Sequence, residues 1–277
     1  MITREATIND WDQLLLFFSK IYRTNHPLHK KEFWEWQYGN QKYGRSFICV
    51  NDKQQVVGHV GANFQGNLAW IINVYLDAEC RGQGILGKLY ALARSYYPLA
   101  ATAANEAGLG LYRNMRWIRY HDLVRYVKVN PALEDKSFQS VCDKVDVNYN
   151  HLIDAKSHYF QQPGINGLLF NDGSEAVSQE DVGGLRAVKI LNLAIFEAEA
   201  WALGYNWIDY ITSWNNLEVK KLEKNSWTLD FKNIVPWRLN PIEENYFCDI
   251  TFLSEKPLNN EFVVQRDYSD HGRIGSL

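Results

Sequence analysis

Long apolar runs are missing from this chain. Its longest hydrophobic stretches fall far short of the roughly 20 residues that a membrane-spanning helix needs, so no membrane partner is expected. A basic run is missing too. Lys and Arg number 29 against 32 Asp and Glu, a formal net charge of −3, and clusters such as His29-Lys30-Lys31 and Lys220-Lys221 are short. The electrostatic footprint of a nucleic-acid binder is therefore absent. Cysteine is scarce: Cys49, Cys80, Cys142 and Cys248 are scattered and form no CxxC pair. That spacing calls for no metal, and reduced thiols in a cytoplasmic protein fit it best. The opening MITREATIND is polar and does not read as a signal peptide.

What is present is enough apolar material for two cores. The chain has 277 residues, 46% of them hydrophobic, with 10 Trp, 16 Tyr and 13 Phe. Two domains are expected at this length, divided as residues 1–135 and 136–277 by the polar stretch Asn130–Asn150. In the first, a strand at Ile2–Thr7 precedes a helix capped at Asn9 or Asp10, and a second helix covers Lys31–Tyr38. Strands follow at Ser46–Val50, Gln55–Asn63 and Leu68–Leu76, the first two joined by the Asn51-Asp52-Lys53 turn. Ile85, Leu86, Leu89, Tyr90, Leu92 and Ala93 then share one helical face. Pro98 ends that helix, a buried strand covers Leu99–Ala104, a helix covers Glu106–Met115, and a β-rich pair lies near Ile118–Val129.

The second half places Gly183-Gly184 before a long helix over Leu185–Leu203, then a strand over Trp207–Trp214 and a helix over Leu217–Asn225. In each half a strand ends near an Asn, a helix follows, and a Trp stands twelve residues beyond: Asn105 with Trp117, Asn215 with Trp227. Such self-similarity points to duplication of one fold. The fold class is α/β with mixed sheets.

The strongest chemical signal is Arg81-Gly82-Gln83-Gly84-Ile85-Leu86-Gly87, between a strand and a helix. Glycines allow a tight turn and close approach of a phosphate, and the open amides of the helix start add partial positive charge. With the strand before it and Asn105 and Tyr112 after it, the loop resembles that of the GCN5-related N-acetyltransferase (GNAT) superfamily, Gln/Arg-x-x-Gly-x-Gly/Ala. Two departures stand out: Leu86 fills the last loop position, and Arg116-Trp117 replaces a Gly-Phe pair. The resemblance implies a tandem GNAT-like fold, the first unit complete and the second diverged. It implies acyl-CoA as cofactor, held by Val74, Tyr75, Leu76, Arg81, Gly82, Gln83, Gly84, Ile85, Leu86, Gly87 and Asn105.

The same resemblance implies that Tyr112 protonates the departing thiolate, a role its ordinary pKa near 10 suits. The other reading of Tyr112 is a core tyrosine. His59 reads either as a catalytic base or as a structural strand histidine, and water-relayed deprotonation is the alternative. The second unit has Leu222 where the first has Tyr112 and lacks the glycine loop, so one cofactor site per chain is expected, with the second unit helping to form the acceptor pocket.

The build is also similar to a two-unit branch that N-acylates nucleotide-linked amino sugars. The matching segments are Phe33-Trp34-Glu35-Trp36, Trp207-Ile208-Asp209-Tyr210 and Gln265-Arg266-Asp267-Tyr268-Ser269-Asp270; Asp270-His271-Gly272-Arg273-Ile274 departs from that branch's usual ending. This implies Trp34, Trp36, Asn73, Asp209, Trp214 and Asp267 at a nucleotide-sugar site. Trp34 and Trp36 cannot share one helix face, so at least one belongs to the core. Asp209 is a sugar ligand or a buried structural carboxylate, and Asp267 a ligand or part of a polar tail. The amino-acid or peptide acceptor and the non-catalytic acyl-CoA sensor stay open as alternatives. The oligomeric state is not legible; a homodimer is compatible.

Overall fold

The computed structural model describes residues 1–103, 106–133, 141–147, 157–213, 215–229 and 250–268. These form two compact units, each built on one mixed sheet.

The first unit begins with β1 (Ile2–Glu5), α1 (Trp11–Ile21) and α2 (Lys31–Tyr38). The meander β2 (Gly44–Val50), β3 (Val56–Gln65) and β4 (Leu68–Leu76) follows, then α3 (Ile85–Arg94), β5 (Leu99–Ala103), α4 (Glu106–Asn114) and β6 (Ile118–Arg119). Alternation along the strands feeds two cores, because successive side chains leave a strand on opposite faces. Phe47, Cys49, Val60 and Ala62 pack with Ile85, Leu89, Tyr90 and Tyr112 of α3 and α4. Ile48, Val50 and Ile72 pack with Phe17, Phe18, Trp34 and Tyr38 of α1 and α2. The sheet is thus covered on both faces.

The second unit contains β7 (Leu123–Val129), β8 (Gly167–Leu169), β9 (Glu175–Gln179), β10 (Gly184–Lys189), α5 (Leu193–Ala202), β11 (Trp207–Ser213), α6 (Val219–Lys224) and β12 (Thr228–Leu229). One more strand, β13 (Thr251–Ser254), belongs to the first sheet.

The strand orders reveal the repeat. The first sheet runs β1-β2-β3-β4-β5-β13-β6 and the second β12-β7-β11-β10-β9-β8. Apart from β1, the second is the first read in reverse, with one parallel pair in each, β4 with β5 and β10 with β11. The helix ends match as well. Trp117 N–H donates to Tyr112 O at 3.0 Å after the left-handed Arg116 (φ 58), and Trp227 N–H donates to Leu222 O at 3.0 Å after the left-handed Ser226 (φ 64). Arg116 therefore occupies the backbone conformation that glycine supplies most cheaply.

Three expectations change. The two strands near Ile118–Val129 do not pair: β6 joins the first sheet and β7 the second, between β11 and β12. Consequently the units are not consecutive halves cut at 135/136. The first comprises the described residues of Met1–Tyr120 and Thr251–Leu258 together with Tyr268. Third, Leu185–Leu203 is not one helix. Gly183 turns with φ 72, Gly184–Lys189 is a strand, and the helix starts only after Asn192, whose side chain caps it by accepting from Ala194 and Ile195 N–H. Gly184 has a steric reason, since a Cβ there would enter the Trp207 indole.

Asp209 on β11 is fully buried in the second sheet. Its Oδ2 lies 2.8 Å from Arg125 Nη2 and 3.5 Å from Arg186 Nε, and both guanidinium groups lie over the Trp207 ring. Removing this carboxylate would leave two buried cations facing each other. Asp209→Asn is expected to cost about 3–5 kcal/mol, read as a lower urea midpoint with the slope unchanged.

Candidate active site

β4 and β5 pair at Ala69↔Leu99 and Trp70↔Ala100, and the ladder goes no further. β4 nevertheless continues to Leu76 and β5 to Ala103, so the two strands part. The parting coincides with Asn73, whose φ of 50 is left-handed, and with a register shift against β3 between His59↔Tyr75 and Gly61↔Ile72. This is a β-bulge, a device that bends a strand. Asn tolerates the conformation better than most residues do.

Beyond the bulge, Asp77 N–H donates to Val57 O on β3 at 2.9 Å. Amides alternate sides along a strand, so those of Val74 and Leu76 face away from β3, toward the opening. Val74, Tyr75 and Leu76 are half-buried. Leu76 O accepts from Arg81 Nε at 3.1 Å, which ties the strand end to the loop that follows.

That loop is open. Gly82 (φ 75) and Gly84 (φ 71) are left-handed, and a Cβ on Gly82, Gly84 or Gly87 would meet nothing within 4 Å. Gly84 is the N-cap of α3 and has no capping side chain, and the first turn carries no acidic residue. The first internal bond is Lys88 N–H to Gly84 O at 3.3 Å, so the amides before it point out of the helix start. Gln83 Nε2 donates to Glu79 O, bracing the turn. Ile85 is buried and Leu86 half-buried, so both anchor the helix from below and offer the loop only their backbone. An open amide cradle at a ten-residue helix beside a strand notch fits a diphosphate carrying a long arm.

The second unit shows what closing such a site looks like. β10 and β11 stay paired over four positions, from Gly184↔Trp207 to Ala187↔Tyr210, and the Asn192 side chain takes the amides at the start of α5. Among the described residues, the second unit therefore shows neither the notch nor the open helix start of the first.

Tyr112 on α4 is 5% exposed and stacks on Trp117 with ring centroids 4.5 Å apart. Its neighbour Tyr90 on α3, which sequence reasoning passed over as a core residue, is wholly buried. Burial first, then the proximity of the Tyr112 hydroxyl, pushes the Tyr90 phenol well above its usual pKa.

His59 is not placed as a base. It is fully buried, with Ser46 Oγ 2.8 Å from Nε2 and Asn73 O 2.8 Å from Nδ1. Desolvation lowers its pKa from 6.5 to about 4, against the opposing pull of the Asn73 bond. The acceptor residues are dispersed. Trp34 is a core residue, tilted against Trp11 and edge-on to Tyr38. Trp36 is half-buried beside Phe33, and Asn73 is half-buried with Nδ2 donating to Tyr38 Oη at 2.9 Å. In the second unit Asp209 is sequestered by the arginines. Asp267 acts electrostatically on Tyr210, whose side chain leaves β11 on the face opposite Asp209. Asn105 and Trp214 lie outside the described residues.

Residues 11–115 match the family model described as the acetyltransferase (GNAT) family. That stretch of the first unit is similar to a GNAT domain. A search of curated protein sequences finds no match. Among solved structures, a candidate acetyltransferase from Pyrococcus horikoshii is similar with a TM-score of 0.55 and 15% identity, over 94% of this chain and 90% of that one. A conserved Enterococcus faecalis protein of unknown function, described as a candidate N-acyltransferase, is similar with a TM-score of 0.54 and 12% identity, over 94% of this chain and 73% of that one. At such identities the likeness concerns the fold, and it extends over nearly the whole chain. Members of that family take their acyl group from acyl-CoA, and the notch and cradle fit that donor. Among the described residues no helix is long and apolar enough to cross a membrane.

Two measurements test this geometry. Gly84→Ala keeps a folded protein, since the space is free, but loses about 1–2 kcal/mol to left-handed strain; CoA affinity by calorimetry should fall at least about tenfold as the methyl enters the cradle. The buried His59 also sets a pH dependence. Its folded pKa lies below its unfolded one, so its contribution is full above pH 6.5 and is lost as pH falls toward 4. Between about pH 7 and about pH 4.5 the loss amounts to about 2 kcal/mol, and it should be missing from the difference between the urea midpoints of His59→Gln at those two pH values.

Proposed function

We propose that the protein transfers an acyl group from acyl-CoA to the amino group of a nucleotide-linked amino deoxysugar, such as a dTDP-3-amino-3,6-dideoxyhexose, in cytoplasmic steps of surface polysaccharide biosynthesis. The observation that carries the acyl-transfer half is the early end of the β4–β5 ladder beside an uncapped, glycine-led helix start. The acceptor half rests on the similarity of the two-unit build and its Trp- and Asp-containing segments to the sugar N-acyltransferase branch. Trp36, Asn73 and Asp267 are the acceptor candidates that retain exposure; Trp34 and Asp209 leave that set, being committed to packing and to an ion-pair cluster.

The cradle amides over 82–87 and the positive end of α3 hold the diphosphate. When bound, acyl-CoA supplies the activated acyl carbonyl. The Val74 and Leu76 amides face the opening and are preorganised to donate to an oxygen that gains negative charge there. Tyr112, stacked on Trp117 and nearly excluded from solvent, gives its proton to the leaving sulfur. With both His59 nitrogens engaged, the acceptor amine loses its proton to water.

An amino-acid or peptide acceptor, or an acyl-CoA sensor without turnover, would share the same cradle. Tyr112→Phe separates catalysis from sensing, because the ring still stacks on Trp117. Turnover of acetyl-CoA with a panel of dTDP- and UDP-linked amino sugars should fall about 10²–10⁴-fold while CoA affinity stays level. Turnover with amino acids alone moves the acceptor out of the sugar class, and no turnover with any amine leaves the sensor.

A further inference from the structure

The bulge that opens the site is held by a buried hydrogen-bond chain that the reaction itself does not use. Asn73 O accepts from His59 Nδ1 at 2.8 Å. A carbonyl oxygen can only accept, so Nδ1 carries the hydrogen. In a neutral ring Nε2 then has a lone pair, and it accepts from the Ser46 hydroxyl at 2.8 Å. The tautomer is fixed from both ends. Asn73 is also held by its side chain, through Nδ2 donating to Tyr38 Oη at 2.9 Å. Tyr38 reaches that point only because residue 61 is glycine: a Cβ on Gly61 would overlap the Tyr38 hydroxyl. Phe18, edge-on to the imidazole at 5.0 Å, and Tyr38 at 5.8 Å close the ring from water.

The consequence lies in one peptide group. Asn73 C=O and Val74 N–H belong to the same plane, and in a trans peptide they point in opposite directions. Fixing the oxygen toward β3 fixes the hydrogen toward the opening between β4 and β5. We propose that His59 is a positioning residue: it clamps the Asn73–Val74 peptide so that the Val74 amide is aimed at the acyl carbonyl, with Tyr38 as a second clamp on the same residue. The inference rests on the acyl-CoA reading of the notch. It assigns no proton transfer to His59.

The test uses a readout that depends on the carbonyl and not on the acceptor. Acetyl-CoA has the thioester carbonyl and CoA lacks it, while both share the diphosphate and pantetheine. The ratio of their affinities, measured by calorimetry on the full chain, reports the contacts made to the acyl group, the Val74 amide among them. In His59→Gln the amide nitrogen reaches toward Ser46 and the Asn73 bond is lost; acetyl-CoA affinity relative to CoA should drop about tenfold. His59→Asn carries its nitrogen near the place of Nδ1 and should restore the ratio. Tyr38→Phe, which deletes one hydroxyl and keeps the packing, should shift the ratio in the same direction as His59→Gln and serves if that variant does not fold.

An unchanged ratio in both His59→Gln and Tyr38→Phe, with CoA still bound, overturns the positioning role and leaves the acyl-CoA reading intact. A native protein that binds neither ligand removes the acyl-CoA reading, and this inference with it. A loss of stability with an unchanged ratio identifies His59 as a packing residue only.

Discussion

A strand that stops pairing inside a sheet leaves peptide groups that must be satisfied elsewhere. Everything distinctive in the first unit follows from that constraint acting on β4. Its ladder to β5 ends at Trp70↔Ala100, although both strands continue. Water or a ligand has to meet the freed amides, since buried ones without partners cost about 1–3 kcal/mol each. The bend that frees them needs a residue able to turn left-handed, and Asn73 supplies it at φ 50. The bend in turn needs holding, which brings in the otherwise unexpected burial of a histidine among Phe18, Tyr38 and Ser46. Gly61, on the next strand, is there because the hold needs space.

The second unit serves as an internal comparison, because the same strand order has been kept without the opening. Its parallel pair stays zipped, its helix start is capped by Asn192, and the position equivalent to Tyr112 is Leu222, a buried core residue. Without the opening, its sheet accommodates a different expense, the cluster of Asp209 with Arg125 and Arg186 beneath Trp207. Buried ion clusters are weak sources of net stability, yet losing one member is severe. That asymmetry explains how a charged segment resembling a ligand site can be structural.

Much of the site was legible because its signals are local. The glycines of Arg81–Gly87 announce a turn and an open helix start, and the period of Ile85, Leu89 and Ala93 announces α3, whereas the bulge at Asn73 was not read from the run LAWIINVYL. Residues whose partners are remote in the sequence were not legible. Nothing around Asp209 points to Arg125 or Arg186, and nothing around His59 points to the Asn73 carbonyl. The β10–α5 segment misled because a short apolar strand followed directly by a helix reads as one long helical run; the stop at Asn192 is a capping signal of a single residue. The separation of β6 from β7 had no signal at all, since a strand's own residues do not say which sheet receives it.

That exchange of strands has a consequence for how the molecule comes into being. β13 fills the place between β5 and β6, yet it is made after every strand of the second sheet. As the chain is synthesised, the strand that borders the opening exposes a raw edge until β13 arrives, and such edges invite pairing with other chains. The first sheet is therefore sealed last, by a strand made only after the whole of the second sheet.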